Sequence, residues 1–167
     1  GAPGDAGVAA ERRAANDTRV ECVPIGAEDV ESLLAFARQH RPDLTVVGPD
    51  NPLALGIVDL FEQSGLRIFG PNRSAARFES SKVFAQEFME RHGIPTARAG
   101  TFSEFGAASR FAAGFGGRCA VKADGLALGK GVLICRNMEQ ADQAIEQILV
   151  QKPFGEAGSR IVIQELL

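Results

Sequence analysis

Three cysteines, two histidines and no excess of basic charge set the first limits on what this 167-residue chain does. Cys22, Cys119 and Cys135 lie far apart and form no C-x-x-C pair. His40 and His92 form no cluster, so neither a disulfide framework nor a zinc site is indicated. Buried, reduced thiols in a cytoplasmic protein are the expectation. A formal net charge of −3 argues against a nucleic-acid footprint, which would need a basic face. No apolar run is long enough to span a bilayer. The opening G-A-P-G-D-A-G has neither the basic region nor the apolar stretch of a signal peptide. Two familiar phosphate loops are missing as well. A Walker A loop needs four residues between its glycines and Ser or Thr after the lysine; here Gly125 and Gly129 have three between them, and Gly131 follows Lys130. The dinucleotide fingerprint opens a helix with G-x-G-x-x-G, which this stretch does not.

What is present is V-K-A-D-G-L-A-L-G-K-G-V, residues 121–132, between apolar strand-like runs on both sides. A strand-to-strand loop with three glycines and lysine charge has the free N–H groups and close-approach backbone to cover a polyphosphate. A flexible hairpin with incidental lysines is the plain alternative. Hydrophobic residues make up 45% of the chain, enough for a real core.

In chain order, residues 1–17 read as loop with a short helix, and Arg19–Ile25 as a short strand. Glu28–His40 has Val30, Leu33, Leu34 and Ala37 at helical spacing, with Glu28 and Asp29 in the first turn and His40 at the C-terminus. Leu44–Val47 is expected as a short buried strand. Asn51 is expected as N-cap and Pro52 as first residue of a helix carrying Leu53, Ile57, Leu60 and Phe61 to Gly65. Leu66–Phe69 is the next strand, so strand, helix and strand alternate as in a parallel sheet with crossovers. The turn Gly48–Leu53 lies at a strand end that opens a helix, a place where ligands bind in such sheets; a capped tight turn is the alternative. Residues 72–79 and Ser81–His92 read as helices, the second with Ser80 as N-cap, Val83, Phe84, Phe88 and Met89 as its core stripe, and Lys82 in a first turn that disfavours a cation unless an anion compensates. Ile94-Pro95 marks a boundary. Beyond it come a strand Ala97–Phe102, a helix Ser103–Phe115 with Phe105, Ala108, Phe111 and Ala112 inward, the strands around the glycine-rich loop, and a helix Met138–Val150 with Ala141, Ala144, Ile145, Ile148 and Leu149 inward. Phe154–Ser159 reads as loop. The chain closes on a strand Ile161–Leu166 with nothing after it to pair or cover it, so both ends read as cut and a fragment is expected.

Four stretches together resemble one family. Ala2-Pro3-Gly4-Asp5-Ala6-Gly7 is similar to A-P-G-N-A-G, and Val47-Gly48-Pro49-Asp50-Asn51-Pro52-Leu53 to V-G-P-E-x-P-L. Ser81-Lys82-Val83-Phe84, with the exit His92-Gly93-Ile94-Pro95-Thr96, is similar to S-K-x-F and H-G-I-P-T-A, and residues 121–132 to V-K-A-D-G-L-A-A-G-K-G-V. These are motifs of the glycinamide ribonucleotide synthetases, ATP-grasp ligases of purine synthesis. The resemblance is co-linear over nearly the whole chain. It implies an α/β fold: a truncated Rossmann-like parallel sheet (the pre-ATP-grasp domain, residues 1–71), connecting helices (72–96), and the small α+β lid subdomain of an ATP-grasp fold (97–167).

The resemblance also implies ATP-dependent joining of glycine to 5-phosphoribosylamine through glycyl phosphate. Lys82 and Lys122 would meet the ATP phosphates, and the loop Asp124–Gly131, with Gly125, Gly129, Lys130 and Gly131, would lie over them. Gln164, Glu165 and Leu167 would meet adenine, and Gly48, Pro49, Asp50 and Leu53 would face phosphoribosylamine. Asp50 stands where the family has Glu, Leu128 where it has a small residue, and Gln164 where it is usually acidic. The family's first strand would precede Gly1. Its Mg²⁺ ligands and glycine site would follow Leu167, so no metal ligand or catalytic side chain is assigned here and the isolated chain is expected to be inactive. ATP and Mg²⁺ are the implied cofactors, and a cytoplasmic monomer without nucleic-acid or membrane partners is expected. Another ATP-grasp carboxylate–amine ligase and a non-catalytic nucleotide-binding module are the competing readings.

Overall fold

The computed structural model describes residues 20–126, 131–151, 153 and 155–167. Residues 1–17, Arg19, Leu128, Gly129, Lys130 and Phe154, on which some expectations rest, lie outside them. The elements are α1 (Val30–His40), β1 (Thr45–Val46), α2 (Asp50–Leu55), α3 (Ile57–Gln63), β2 (Ile68–Phe69), α4 (Arg73–Ser80), α5 (Lys82–Arg91), β3 (Ala99–Phe102), α6 (Phe105–Ala113), β4 (Arg118–Ala123), β5 (Val132–Arg136), α7 (Met138–Leu149), a 3₁₀ turn (Gly155–Gly158) and β6 (Ile161–Glu165).

β1 and β2 pair in parallel, Thr45 opposite Ile68 and Val46 opposite Phe69, as the strand–helix–strand alternation requires. The strand expected over Arg19–Ile25 is corrected where it is described: Val20–Ile25 carries no strand and finds no ladder partner among the described residues. The expected burial of Leu44–Val47 is also corrected, since Leu44 is 50% and Val46 65% exposed. α1 starts two residues later than expected, because Asp29 is not its first turn but its N-cap, accepting from the Ser32 N–H at 3.1 Å. Asn51 does not cap the next helix. Its amide donates to the Glu28 carboxylate instead, and α2 opens after Pro49 in extended backbone. Pro52 therefore sits in the first turn, where its missing N–H costs nothing. The single helix expected up to Gly65 is two. Gly56, at φ 91, ends α2 and begins α3, a left-handed turn that glycine takes without strain. Leu53, Ile57, Val58 and Phe61 still face one core with Leu34 and Ala37.

Ser81, not Ser80, caps α5: it is extended, and its Oγ accepts from the Phe84 N–H at 3.1 Å, while Ser80 ends α4. Val83 is buried, whereas Phe84 and Phe88 are only half-buried and stack edge-on against Phe78, with centroids 5.2 and 4.7 Å away.

The second sheet has strand order β3-β6-β4-β5, antiparallel throughout. The last strand is thus no edge: β6 is an inner strand, paired with β3 on one side and β4 on the other, which overturns the expectation of an uncovered end. Alternation sends Cys119, Val121, Ala123, Ile161 and Ile163 to one face, where α6 and α7 cover them with Ala108, Ala112, Ala141, Ala144, Ile145, Ile148 and Leu149. α6 begins later than expected, after Glu104, and Phe105 is 39% exposed rather than inward. The opposite face carries Ala120, Lys122, Val162 and Gln164. α5 packs against β6, and this second face bears the candidate site.

Candidate functional site

Two lysines from different elements meet beside the start of the glycine-rich loop. Lys82, in the first turn of α5, donates from Nζ to the Gly125 carbonyl at 3.2 Å. Lys122, on β4, donates from Nζ to the Gln164 side-chain carbonyl of β6, its diagonal neighbour across the ladder. Partial burial first, and the nearby Lys82 ammonium second, hold the Lys122 ammonium below the ordinary lysine range. Two cations confined on one half-buried face form a donor set that an anion stabilises, so the residues present fit a polyphosphate.

The anion at the start of α5, however, belongs to the protein. Asp124 Oδ1 accepts from Ser81 Oγ at 2.8 Å and from the Val83 N–H at 3.2 Å, and Oδ2 accepts from Arg160 Nη2 at 2.7 Å. The Asp124 side chain is 8% exposed. This carboxylate supplies the compensation that Lys82 lacks in its unfavourable place at a helix N-terminus. It spends its oxygens on protein donors.

A cleft of about 490 Å³ joins the two halves of the site. Lys82, Gly125, Leu126 and Gly131 line one side, and Pro49 and Asp50 the other. Lys82, Gly125, Gly131, Pro49 and Asp50 are therefore brought together as the sequence suggests. Glu28 and Glu79 also border the cleft, and sequence reading gave neither of them a place there. By sequence Glu28 is only a charge near a helix start, and nothing local singles out Arg160, whose partner Asp124 is 36 residues away. Leu53 is elsewhere. It is buried at 8% exposure in the core of α1–α3 and touches a smaller cavity beside Pro71 and Ala76. Gly48 is exposed and does not line the cleft. Glu165 donates its N–H to the Arg98 carbonyl at 2.9 Å, and Leu167 is fully exposed. Among the described residues no three His, Cys, Asp or Glu side chains stand together as a metal site, and no helix is long and apolar enough to cross a membrane.

Known proteins resemble the chain over nearly its whole length. Residues 1–79 match the family model for the phosphoribosylglycinamide synthetase N domain, and residues 80–167 match that for its ATP-grasp (A) domain. The phosphoribosylamine–glycine ligase of Pasteurella multocida is 47% identical over 99% of this chain and 37% of its own length. That of Ralstonia nicotianae is 49% identical over the same shares. The crystal structure of phosphoribosylamine–glycine ligase from Thermotoga maritima superposes with a TM-score of 0.69 at 29% identity, covering 89% of this chain and 34% of that one. A biotin carboxylase–βγ-ATP complex from Campylobacter jejuni, 19% identical, gives a TM-score of 0.67 over 83% of this chain and 32% of that one, a likeness of fold. The chain spans about 37% of the length of the curated relatives it matches.

Proposed function

Because the chain belongs to the phosphoribosylglycinamide synthetase family, we propose that it is the N-terminal and nucleotide-gripping part of an enzyme that joins glycine to 5-phosphoribosylamine at the expense of ATP. The observation that carries the reading is Lys82 beside Gly125 on one wall of a cleft whose other wall holds Pro49 and Asp50, with Lys122 close enough to feel the Lys82 charge from the adjoining sheet face. A carboxylate is a poor acylating agent. Transfer of the γ-phosphoryl group to the glycine carboxylate gives glycyl phosphate and ADP. Attack by the amine of phosphoribosylamine then forms the amide and expels phosphate. The chain's contribution is positioning and charge neutralisation: Lys82 and Lys122 hold the polyphosphate, while Gly125, Gly129, Lys130 and Gly131 lie over it.

The backbone of Gln164, Glu165 and Leu167 is assigned to adenine. Gln164 lends its side chain to Lys122, so its carbonyl orients that ammonium. Gly48, Pro49, Asp50 and Leu53 are assigned to the sugar phosphate side, with Asp50 as the group that accepts from a ribose hydroxyl and Leu53 as the residue that shapes the wall behind it. Mg²⁺ supplies further charge neutralisation in phosphoryl transfer. The described residues offer no cluster of donors for it, and no step is assigned to it here. Residues 1–71, 72–96 and 97–167 serve as substrate-side domain, connector and nucleotide lid. We place the enzyme in the cytoplasm, as a monomer with small-molecule partners only.

The test is ADP release by the complete polypeptide that carries this chain. Release that depends on both glycine and phosphoribosylamine is expected. Release with another carboxylate but not glycine would contradict the reading. The 167 residues alone are expected to release no ADP under the same conditions.

A further inference from the structure

The glycine-rich loop leaves β4 at Ala123, and the first residue past the strand, Asp124, ties three elements together. Its Oδ1 reaches the start of α5 through Ser81 Oγ and the Val83 N–H, and its Oδ2 reaches Arg160 at the entrance to β6. Its own N–H donates to the Arg160 carbonyl at 3.0 Å. The next residue, Gly125, at φ 143, receives Lys82 Nζ on its carbonyl at 3.2 Å. The helix that carries one lysine and the strand that carries the other are thus fastened by one carboxylate with 8% exposure.

We propose that Asp124 is a positioning residue: it acts through Lys82 and the loop root, not by touching nucleotide, and it sets where the phosphate-binding lysines stand relative to each other. This deepens the nucleotide reading above and rests on it. Two physical points carry it. A carboxylate whose oxygens already accept from a hydroxyl, a helix N–H and a guanidinium, and which carries a negative charge, is a poor phosphate ligand. Its removal leaves the Val83 N–H without its acceptor in the first turn of α5 and leaves Lys82 facing the positive end of the helix dipole. The clasp also fills the anion position at that helix end, so the phosphates are left to the ammonium groups and the loop.

The test compares ATP with adenosine, because displaced lysines weaken phosphate contacts and leave the base and ribose alone. In the complete polypeptide, Asp124→Ala is expected to weaken ATP binding about tenfold while adenosine binding changes less than about twofold. Asp124→Asn keeps an acceptor for Ser81 and Val83 and loses the charge facing Arg160; it is expected to restore most of the affinity, to within about threefold of wild type. Ser81→Ala cuts the same tie from the helix side and is expected to shift the ATP-to-adenosine ratio in the same direction as Asp124→Ala. If Asp124→Ala does not fold, Ser81→Ala decides alone. An alanine variant at wild-type ATP affinity, or one that weakens ATP and adenosine equally, would overturn the positioning role and leave the carboxylate as a stability feature. A wild-type protein that binds no ATP would instead contradict the nucleotide reading, and the positioning role with it.

Discussion

The two sheets treat their strands differently. In the antiparallel sheet, Ile161, Val162 and Ile163 are at most 2% exposed; in the parallel pair, Val46 is 65% and Phe69 68% exposed. Inner strands of the first kind have a ladder on each side and helices on the core face, so their register cannot slip without turning buried side chains outward. Parallel strands are ordinarily covered on both faces, yet among the described residues the β1–β2 pair is two residues long and covered on the side of Val47 and Ile68 only. The difference bears on function. The lysines assigned to nucleotide stand on or against a closed platform. Asp50, on the other side of the cleft, stands on a six-residue helix that follows a two-residue strand.

The sharpest way to break this comparison is at Gly117. It sits at φ 77, and a Cβ there would lie 2.2 Å from the backbone of Asn137 and Met138, atoms that no rotamer change moves. Gly117→Ala is expected to cost about 3 kcal/mol or more, read as a lowered urea midpoint for the antiparallel unit. Next comes a matched pair of strand truncations. Ile163→Ala is expected to cost about 2–5 kcal/mol, whereas Val46→Ala, at an exposed position, should stay within about 0.5 kcal/mol. Equal costs would remove the distinction between the sheets. On the functional side, Lys122→Ala with Lys130→Ala should weaken ATP binding by about tenfold to a hundredfold without unfolding the complete protein. Asp50→Ala should raise KM for phosphoribosylamine and leave KM for ATP near wild type. The smallest effect is in thiol chemistry. Burial pushes the Cys119 thiol up to about 11 and raises its cross-strand neighbour Cys135. A raised folded-state value means that this thiol's contribution to stability is full below about pH 9 and is lost as pH climbs toward 11. Unfolding measured across that window should show the loss, and Cys119→Ala should flatten it. In the native protein iodoacetamide should modify exposed Cys22 and spare Cys119 and Cys135.

Much of the antiparallel unit was legible because its signals are local and periodic. All five inward residues of α7 follow from helical spacing, and the strands flanking the loop follow from their apolar runs. Helix starts were less legible, because a cap depends on where a side chain turns: Asn51 turned to Glu28, and Ser81 rather than Ser80 took the extended backbone. The inner position of β6 was not legible, since sequence order says nothing about insertion between two earlier strands. At the site, the lysines and glycines were readable from composition and motif. The clasp of Asp124 was not: its partners are 36 to 43 residues away, and an aspartate in a glycine–lysine loop looks the same whether it faces ligand or helix.

The central claim is that Lys82 and Lys122 are held together as a phosphate grip. The most direct measurement is the titration of the Lys122 ammonium by NMR in the complete polypeptide, with and without ATP. Without nucleotide it should titrate below the ordinary lysine range, because burial and Lys82 disfavour its charge. With ATP bound it should move up, as the polyphosphate stabilises both cations. An ordinary lysine titration that ATP leaves unmoved would contradict the account.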